Sequence, residues 1–298
     1  MIKSVFNDIM SDGVKQVILD TDTYNEVDDQ FAVAYAMLSE KIDLLSLNAA
    51  PFLNNRSVSP EDGMERSYNE IIKIAALTDP NHKIPVYKGS RTYISDKKKP
   101  AESPAADNII NTALENKSGK RIYVVAIGAI TNVASAIIKC PDVIDKIAVV
   151  WLGGHAWTSH YLREFNMVQD VPAAQVIFDS GVPFVQIPAE GVTSALTISI
   201  PELEYYLRGK NKLCDYLTDI VKGYTNDPYC WSKVIWDISA IACLAIPKSL
   251  DMVVVPTPVL NSETTYSMDY ARHLMIYVRK VHRDAIFKDV FNKLIIAK

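Results

Sequence analysis

The sequence predicts an α/β fold in which an open, mostly parallel sheet carries helices on both faces. Short apolar runs typical of buried strands alternate with longer segments typical of helices along most of the 298 residues. Strands and helices that alternate in this way form parallel sheets through right-handed crossovers. No linker, repeat or low-complexity stretch divides the sequence. We therefore predict a single domain over residues 1–298, with the mainly helical region 201–246 as an insertion beside the ligand crevice.

The predicted elements follow one another in order. Apolar runs indicate strands at residues 17–19, 42–47, 85–87, 122–127, 147–152, 183–187, 252–255 and 273–281. Helices are predicted over residues 28–39 and 284–295, and further helices begin at Ser59-Pro60, at Ser103-Pro104 and at Asp170. A side chain that can cap a helix, followed by proline in the first turn, is a helix start signal.

The composition excludes several classes of partner. Hydrophobic residues make up 49% and charged residues 22% of the chain, and the formal charge is −4. A slightly acidic chain has no electrostatic footprint for nucleic acid or an anionic membrane. Residues 1–16 lack the apolar stretch of a signal peptide, and no later segment is long enough to span a bilayer, so we expect a cytoplasmic protein. The four cysteines are irregularly spaced, which indicates free thiols.

Four aspartates follow the first predicted strand within ten residues: Asp20, Asp22, Asp28 and Asp29. The carboxyl ends of parallel strands are where ligand crevices form in such sheets. Crowded like charges raise one another's pKa unless a positive charge compensates, and residues 17–40 contain no Lys or Arg. The cluster therefore predicts a hard divalent cation bound through oxygen.

A structural alternative accounts for part of this cluster. Asn25 could cap the following helix, and acids in a first helical turn are favoured by the helix dipole. This interpretation explains Asp28 and Asp29, but it leaves Asp20 and Asp22 unexplained.

Three later segments could complete a site at the same edge of the sheet. Gly128 permits a sharp turn that leaves the Ile127 carbonyl free to face a ligand. Residues 163–166, Arg-Glu-Phe-Asn, lie in a long connection and could either bind a ligand or cap a helix. Asp237 interrupts the apolar segment 234–242, which otherwise reads as a buried helix, so it needs either a metal or a basic partner.

Taken together, these segments resemble the inosine-uridine nucleoside hydrolase family. Residues 20–29 resemble its Asp-x-Asp-Pro-Gly-x-Asp-Asp motif, lengthened by two residues. Residues 128–132 are similar to its Gly-Pro-Leu-Thr-Asn segment, and residues 152–154 to its Met-Gly-Gly. Residues 164–166 and 170–174 resemble its Glu-Phe-Asn and Asp-Pro-Glu-Ala-Ala. The resemblance runs in order across most of the chain and implies the family's Rossmann-like fold.

The resemblance also implies an activity and a metal. Members hydrolyse the N-glycosidic bond of ribonucleosides to ribose and free base. In this chain Ca²⁺ would be held by Asp22, Asp29, Asp237 and the Ile127 carbonyl, and Asp22 would take a proton from a calcium-bound water. Oxygen-only ligation is what this cation prefers. Asp20 would support the metal ligands from behind.

Other matched residues would bind the substrate. Asp28, Glu164 and Asn166 would hold the ribose hydroxyls, and Asn54 is similar in position to an Asn that the family places near the ribose at the end of its second strand. Asn55 is an equally adjacent candidate for the Asn54 position. Because members are generally dimers or tetramers, the resemblance implies a homodimer or homotetramer.

The chain departs from the family at the leaving group. Many members carry His before the last metal-binding Asp, where this sequence has Trp236, and residues 88–103 lack the family's His-Gly loop. Trp236 could stack on the nucleobase. The aromatic residues Tyr224, Tyr229 and Trp231, upstream of Trp236, could also stack on the base. Two loop histidines, His155 and His160, could contact the substrate.

Two alternatives to the hydrolase remain open on sequence alone. The missing histidines are compatible with a ribose or nucleoside binding protein that has lost turnover. A Mg²⁺-dependent phosphatase of the haloacid dehalogenase type also begins with Asp-x-Asp-x-Thr after its first strand. Here Tyr24 replaces the usual residue, and no later Gly-Asp-Gly-x-x-Asp segment follows, so the match is partial.

Overall fold

The structure, a computed structural model, describes residues 1–297, so the last residue of the predicted domain, Lys298, lies outside the described residues. The strands are β1 (Lys15–Thr21), β2 (Ile42–Ala49), β3 (Val86–Tyr87), β4 (Ile122–Ala126), β5 (Ile147–Leu152), β6 (Phe184–Ile187), β7 (Thr197–Ser199), β8 (Ser232–Val234), β9 (Leu250–Pro256), β10 (Val259–Leu260), β11 (Tyr266–Ser267) and β12 (Leu274–Val281).

The helices are α1 (Ile2–Ile9), α2 (Asp29–Leu38), α3 (Pro60–Thr78), α4 (Pro104–Glu115), α5 (Thr131–Lys139), α6 (Phe165–Gln169), α7 (Val171–Ser180), α8 (Ile200–Tyr206), α9 (Lys212–Lys222), α10 (Ile238–Ala245) and α11 (Arg283–Leu294). Three short 3-10 helices cover Pro141–Asp145, Thr193–Ala195 and Pro247–Ser249. Within residues 1–297, none of the helices combines the length and apolar character needed to cross a membrane.

The central sheet confirms the predicted α/β fold. Its strand order is β3-β2-β1-β4-β5-β6-β12-β9. Neighbours pair in parallel except β12 with β9, which is antiparallel. From β1 the chain continues outward to β2, whereas from β4 it continues to β5 on the other side. This reversal creates a crevice at the carboxyl ends of β1 and β4, which is where ligands bind in open α/β sheets.

Hydrophobic residues are buried on both faces of the sheet. Val17 and Leu19 of β1 belong to one core cluster, together with residues of α2, α3, α10 and α11. Ile18 belongs to a second cluster, which includes residues of α4, α5 and α7. Successive side chains of a strand point to opposite faces, so an uninterrupted apolar run is what a strand covered on both sides requires.

The predicted helix starts are confirmed by their caps. The Ser59 hydroxyl accepts a hydrogen bond from the Asp62 N–H at 3.1 Å, and Ser103 accepts from the Ala106 N–H at 3.1 Å. The Asp170 carboxylate likewise accepts from the Ala173 N–H at 3.1 Å. Each cap satisfies a backbone donor that the first helical turn leaves without a partner.

Two local predictions were wrong. The helix after the acid cluster begins at Asp29 with Asp28 in the N-cap position, so Asn25 does not cap it. The apolar segment 234–242 is not one helix either, because β8 ends at Val234 and α10 begins at Ile238. Asp237 is therefore the residue that precedes α10, at the helix end where a negative charge is favoured.

Gly63 provides a test of the packing between α3 and the connection after β2. A Cβ added at Gly63 would lie 2.0 Å from the Phe52 carbonyl oxygen. We expect Gly63→Ala to lower the free energy of unfolding by about 1–3 kcal/mol, because overpacking outweighs the better helix propensity of alanine. Urea denaturation measures the change. Gly223→Ala is the matched control, since its nearest contact would be an ordinary 3.4 Å, and equal midpoints for the two variants would contradict the predicted packing.

Candidate functional site

The acid cluster and the later segments converge on one cavity at the carboxyl edge of the sheet. The cavity has a volume of about 190 Å³. Its lining includes residues from the loop after β1, from the ends of β4 and β5, from the start of α6 and from the start of α10: Asn25, Glu26, Asp28, Asp29, Ile127, His155, Glu164, Asn166, Trp236 and Asp237. The structure thus brings together side chains that lie more than 200 residues apart in the sequence.

Three carboxylates of this cavity lie close enough to share a cation. One oxygen each of Asp28, Asp29 and Asp237 lies within 4.8 Å of the other two. Asp29 is held by the Thr21 hydroxyl, which donates to its Oδ1 at 2.5 Å, and Asp28 Oδ2 accepts from the Trp236 N–H at 3.2 Å. Burial raises the pKa of Asp29 to about 7, and the charge of Asp28 adds to this effect.

Asp22 is the most isolated of the acids. It is fully buried, and within residues 1–297 neither carboxylate oxygen has a hydrogen-bond partner. Burial raises the pKa of Asp22 well above its ordinary value, and the charges of Asp29 and Asp28 raise it further. A buried carboxylate without partners is unfavourable unless it is protonated or a cation lies beside it. The donor set therefore fits a hard cation.

The turn after β4 is built against Asp22. A Cβ added at Gly128 would lie 2.9 Å from the Asp22 Cγ, so glycine allows the two to pack directly. The Ile127 N–H donates to the Asp20 carbonyl at 2.9 Å, which fixes the turn to β1. The Ile127 carbonyl accepts from Asn166 Nδ2 at 3.2 Å and keeps a second lone pair for another partner.

Asp20 does not line the cavity, and its carboxylate contacts other protein groups behind the cavity wall. Its Oδ2 accepts from Asn132 Nδ2 at 2.9 Å, and burial raises its pKa to about 7. Asn132 also donates to the Ala49 carbonyl at 3.2 Å and so connects β1, β2 and α5. The supporting role of Asp20 toward the metal ligands stays a prediction.

Glu164 and Asn166 line the cavity and also organise its wall. Glu164 accepts from the backbone N–H groups of Asn166, Gly154 and Met167, each at 2.9 Å, and thereby caps α6. Asn166 Nδ2 donates to the Leu152 carbonyl at 2.9 Å as well as to Ile127. The capping role considered from the sequence is present, and the ribose contact of both residues stays a prediction.

Asp237 was expected to have either a metal or a basic residue as its partner. Across residues 1–297, no Lys or Arg nitrogen lies within 4.0 Å of its carboxylate. Burial raises the pKa of Asp237 well above the ordinary value, and the charges of Asp28, Asp29 and Asp22 add to the shift. The surroundings of Asp237 therefore favour the metal alternative.

Two further charged residues at the cavity, Glu26 and Lys233, were not predicted from the sequence. Glu26 lines the cavity and forms an ion pair with Lys233 of β8, whose side chain is only 7% exposed. Lys233 Nζ also lies 3.9 Å from Asp28 Oδ1, and its charge partly offsets the rise that burial causes in the Asp28 pKa. No local sequence pattern predicts this ion pair, because its two residues lie 207 positions apart in the chain.

Asn54 does not line the cavity itself, but it contacts a residue that does. Its Nδ2 donates to Asn25 Oδ1 at 2.6 Å, and Asn25 is the residue that lines the cavity. Asn55, the alternative considered with it, is exposed. The contact of Asn54 with ribose stays a prediction.

The aromatic and histidine candidates fall into three groups. Trp236 and His155 line the cavity, and His155 Nδ1 accepts from the Glu190 N–H at 3.1 Å. Tyr224 and Trp231, which precede Trp236 in the sequence, stack on each other with ring centroids 6.5 Å apart. The structure does not place Tyr229 or His160 in the cavity: Tyr229 is 85% exposed and His160 is also exposed.

Comparison with known proteins gives a consistent result. The family described as inosine-uridine preferring nucleoside hydrolase matches residues 17–287. The inosine-uridine preferring nucleoside hydrolase of Crithidia fasciculata is 23% identical over 86% of this chain and 87% of its own length. An uncharacterized protein of Schizosaccharomyces pombe is 29% identical over 59% of this chain and 61% of its own, and a probable ribonucleoside hydrolase of Dictyostelium discoideum is matched over 40% of its length.

Solved structures show the same fold. The purine-preferring ribonucleoside hydrolase of Gardnerella vaginalis superimposes with a TM-score of 0.78 at 23% identity, over 94% of this chain and 98% of that chain. The plant nucleoside hydrolase PpNRh1 gives a TM-score of 0.76 at 19% identity, with 95% and 99% covered.

The isolation of Asp22 predicts a conflict between stability and metal binding. In EDTA at pH 8, we expect Asp22→Asn to raise the free energy of unfolding by about 1–3 kcal/mol, because it removes a buried, unpartnered like charge. Calcium at about 100 times its dissociation constant should stabilise the unsubstituted protein by about 2.7 kcal/mol and the variant far less. Urea denaturation with and without calcium measures both. Asp12→Asn, at an exposed acid, is the control, and equal calcium stabilisation of both variants would contradict a site at Asp22.

Proposed function

The chain belongs to the inosine-uridine preferring nucleoside hydrolase family, and we propose that it hydrolyses the N-glycosidic bond of ribonucleosides to ribose and free base. The observation that carries this proposal is the group of three convergent carboxylates in a cavity at the switch point of the sheet, with the buried, unpartnered carboxylate of Asp22 close enough for the charges of Asp29 and Asp28 to raise its pKa. This arrangement is costly for stability, so it supports a role in chemistry rather than in packing.

The metal we propose is Ca²⁺, held by Asp22, Asp29, Asp237 and the Ile127 carbonyl. Carboxylate and carbonyl oxygens are the ligands that a hard cation such as Ca²⁺ prefers. When bound, the cation would supply Lewis acidity and lower the pKa of water. Burial raises the pKa of the three carboxyls Asp22, Asp29 and Asp237, and a bound cation would reduce the cost of ionising them.

Asp22 is the proposed general base. An efficient base has a pKa near the working pH, and burial together with two neighbouring carboxylates moves Asp22 upward from its ordinary value. Its two oxygens make no other hydrogen bond within the described residues, so both keep the capacity to accept a proton.

The remaining acids would act on the sugar. Asp28, Glu164 and Asn166 surround the cavity and are the proposed partners of the ribose hydroxyls. The three backbone donors on Glu164 hold its carboxylate rigidly, and a rigid group needs little reorganisation during the reaction. The negative charge around the sugar would stabilise the positive charge of an oxocarbenium-like transition state.

Trp236 is the proposed contact of the nucleobase. It lines the cavity, and its backbone N–H donates to Asp28, which fixes the backbone of Trp236 beside the sugar site. An aromatic ring can stack on every base but cannot donate a proton as histidine does. Substrates whose base leaves readily should therefore be favoured.

Ribose release tests the proposed activity. With calcium, the purified protein should release reducing sugar from at least one member of a panel of purine, pyrimidine and nicotinamide ribosides. Asp22→Ala should reduce kcat by a factor of about 100–10,000, the usual contribution of an acid or base, while Asp12→Asn should retain full activity. Saturable nucleoside binding without any ribose release would support a binding protein instead.

Substitution of Trp236 tests the proposed stacking. We expect Trp236→Ala to lower kcat/KM by about 10-fold, which corresponds to a stacking contribution of about 1.4 kcal/mol. Trp236→Phe should retain most of the activity because a flat aromatic face remains. The control is Tyr270→Ala, which removes an aromatic ring that is 80% exposed. Steady-state kinetics that show no difference between Trp236→Ala and this control would rule out the stacking role.

A further inference from the structure

The lengthened loop between the two acid pairs, residues 23–27, brings an amide side chain into the cavity. Asn25 lines the cavity although it is only 8% exposed. Its backbone N–H donates to the Asp22 carbonyl at 2.7 Å, so the loop turns back immediately after Asp22. The structure shows that Asn25 does not cap α2, which leaves its side chain without the structural role considered from the sequence.

A chain of hydrogen bonds fixes which end of the Asn25 amide faces the cavity. The Arg56 backbone N–H donates to Asn54 Oδ1 at 2.8 Å, and a backbone N–H can only donate, so the orientation of the Asn54 amide is set. Asn54 Nδ2 must then donate, and it does so to Asn25 Oδ1 at 2.6 Å. Because the oxygen of Asn25 is engaged, its Nδ2 is the end left to a ligand. Within residues 1–297 this Nδ2 donates to no protein acceptor.

The loop is held from outside at several points. Arg56 Nη1 donates to the Glu26 carbonyl at 2.9 Å, and the Arg56 guanidinium lies 4.5 Å from the centre of the Tyr24 ring. The Glu26 side chain is paired with Lys233. A donor on a loop that is fixed before binding loses little entropy when a ligand arrives, so its hydrogen bond can contribute fully to affinity.

We infer that Asn25 is a substrate-binding residue that presents an N–H donor to an acceptor atom of the ribonucleoside, and that Asn54 is the positioning residue that sets this polarity. The inference rests on the proposed function, since it names a contact of the same site. The acceptor is either a hydroxyl oxygen of the sugar or a carbonyl oxygen or ring nitrogen of the base. Asn54 thus acts on the substrate through Asn25.

Two substitutions distinguish the hydrogen bond that Asn25 donates to the substrate from the orientation that Asn54 gives to the Asn25 amide. Asn25→Ala should raise KM by about 2- to 10-fold with little change in kcat, as expected when one neutral hydrogen bond made equally in ground and transition states is lost. Asn54→Asp keeps the acceptor for the Arg56 N–H but removes the donor to Asn25. The carboxylate would then attract the Asn25 N–H group, turn the amide over and present an oxygen to the substrate acceptor, which should raise KM at least as much.

The double variant distinguishes this relay from a general disturbance of the loop. If Asn54 acts through Asn25, the combination of Asn25→Ala with Asn54→Asp should cost no more than Asn25→Ala alone. Asn55→Asp is the matched control, because it introduces the same charge at the exposed neighbouring residue and should leave KM unchanged. Equal thermal midpoints for all variants would exclude loss of folding as the cause.

D-ribose identifies which part of the substrate accepts the hydrogen bond. If the acceptor is in the sugar, Asn25→Ala should weaken inhibition by D-ribose by the same factor as it raises KM for inosine and uridine. If the acceptor is in the base, inhibition by D-ribose should be unchanged while KM still rises. Unchanged values for both ligands, or additive effects in the double variant, would overturn the inference. If the unsubstituted protein releases no ribose, the proposed function fails, and calorimetric binding of D-ribose and inosine to the same variants decides the inference on its own.

Discussion

The crowding of buried carboxylates at the carboxyl end of β1 is the constraint on which the arrangement of the site depends. Asp22, Asp29 and Asp237 are almost fully shielded from water, and the pKa of each is raised because burial and neighbouring charges disfavour the ionised form. Folding therefore has to bring together groups that would separate in an unfolded chain. The sheet, with its two apolar faces, supplies the burial energy that holds them in place.

Hydrogen bonds around the cavity join the elements that carry the carboxylates and hold them in place. The Ile127 N–H ties the end of β4 to β1, and Asn166 bridges the carbonyls at the ends of β4 and β5. Glu164 fixes the Gly154 turn and the first turn of α6 at the same time. The ties made by Asn166 and Glu164 use polar side chains to satisfy backbone groups, so the walls of the cavity are set by hydrogen bonds rather than by the cation alone.

Local signals in the sequence were sufficient for the fold and for most of the acids. The apolar run before Asp20 and the caps at Ser59 and Ser103 have physical causes within a few residues, and the structure confirms them. The position of Asp237 was misjudged because apolar composition alone does not show where a strand ends and a helix begins. Lys233 and the contact of Asn54 with Asn25 were missed because both depend on how a loop folds over residues that are distant in sequence.

The buried Lys233 neutralises only part of the acid cluster. Its ammonium pairs with Glu26 and lies 3.9 Å from Asp28, so it compensates the outer part of the cluster. Asp22 and Asp237 have no such partner within the described residues. One lysine therefore stabilises the lengthened loop while the inner carboxylates keep an excess of negative charge. A divalent cation would reduce this excess without removing it, and the remainder would favour a sugar that becomes positively charged as its bond to the base breaks.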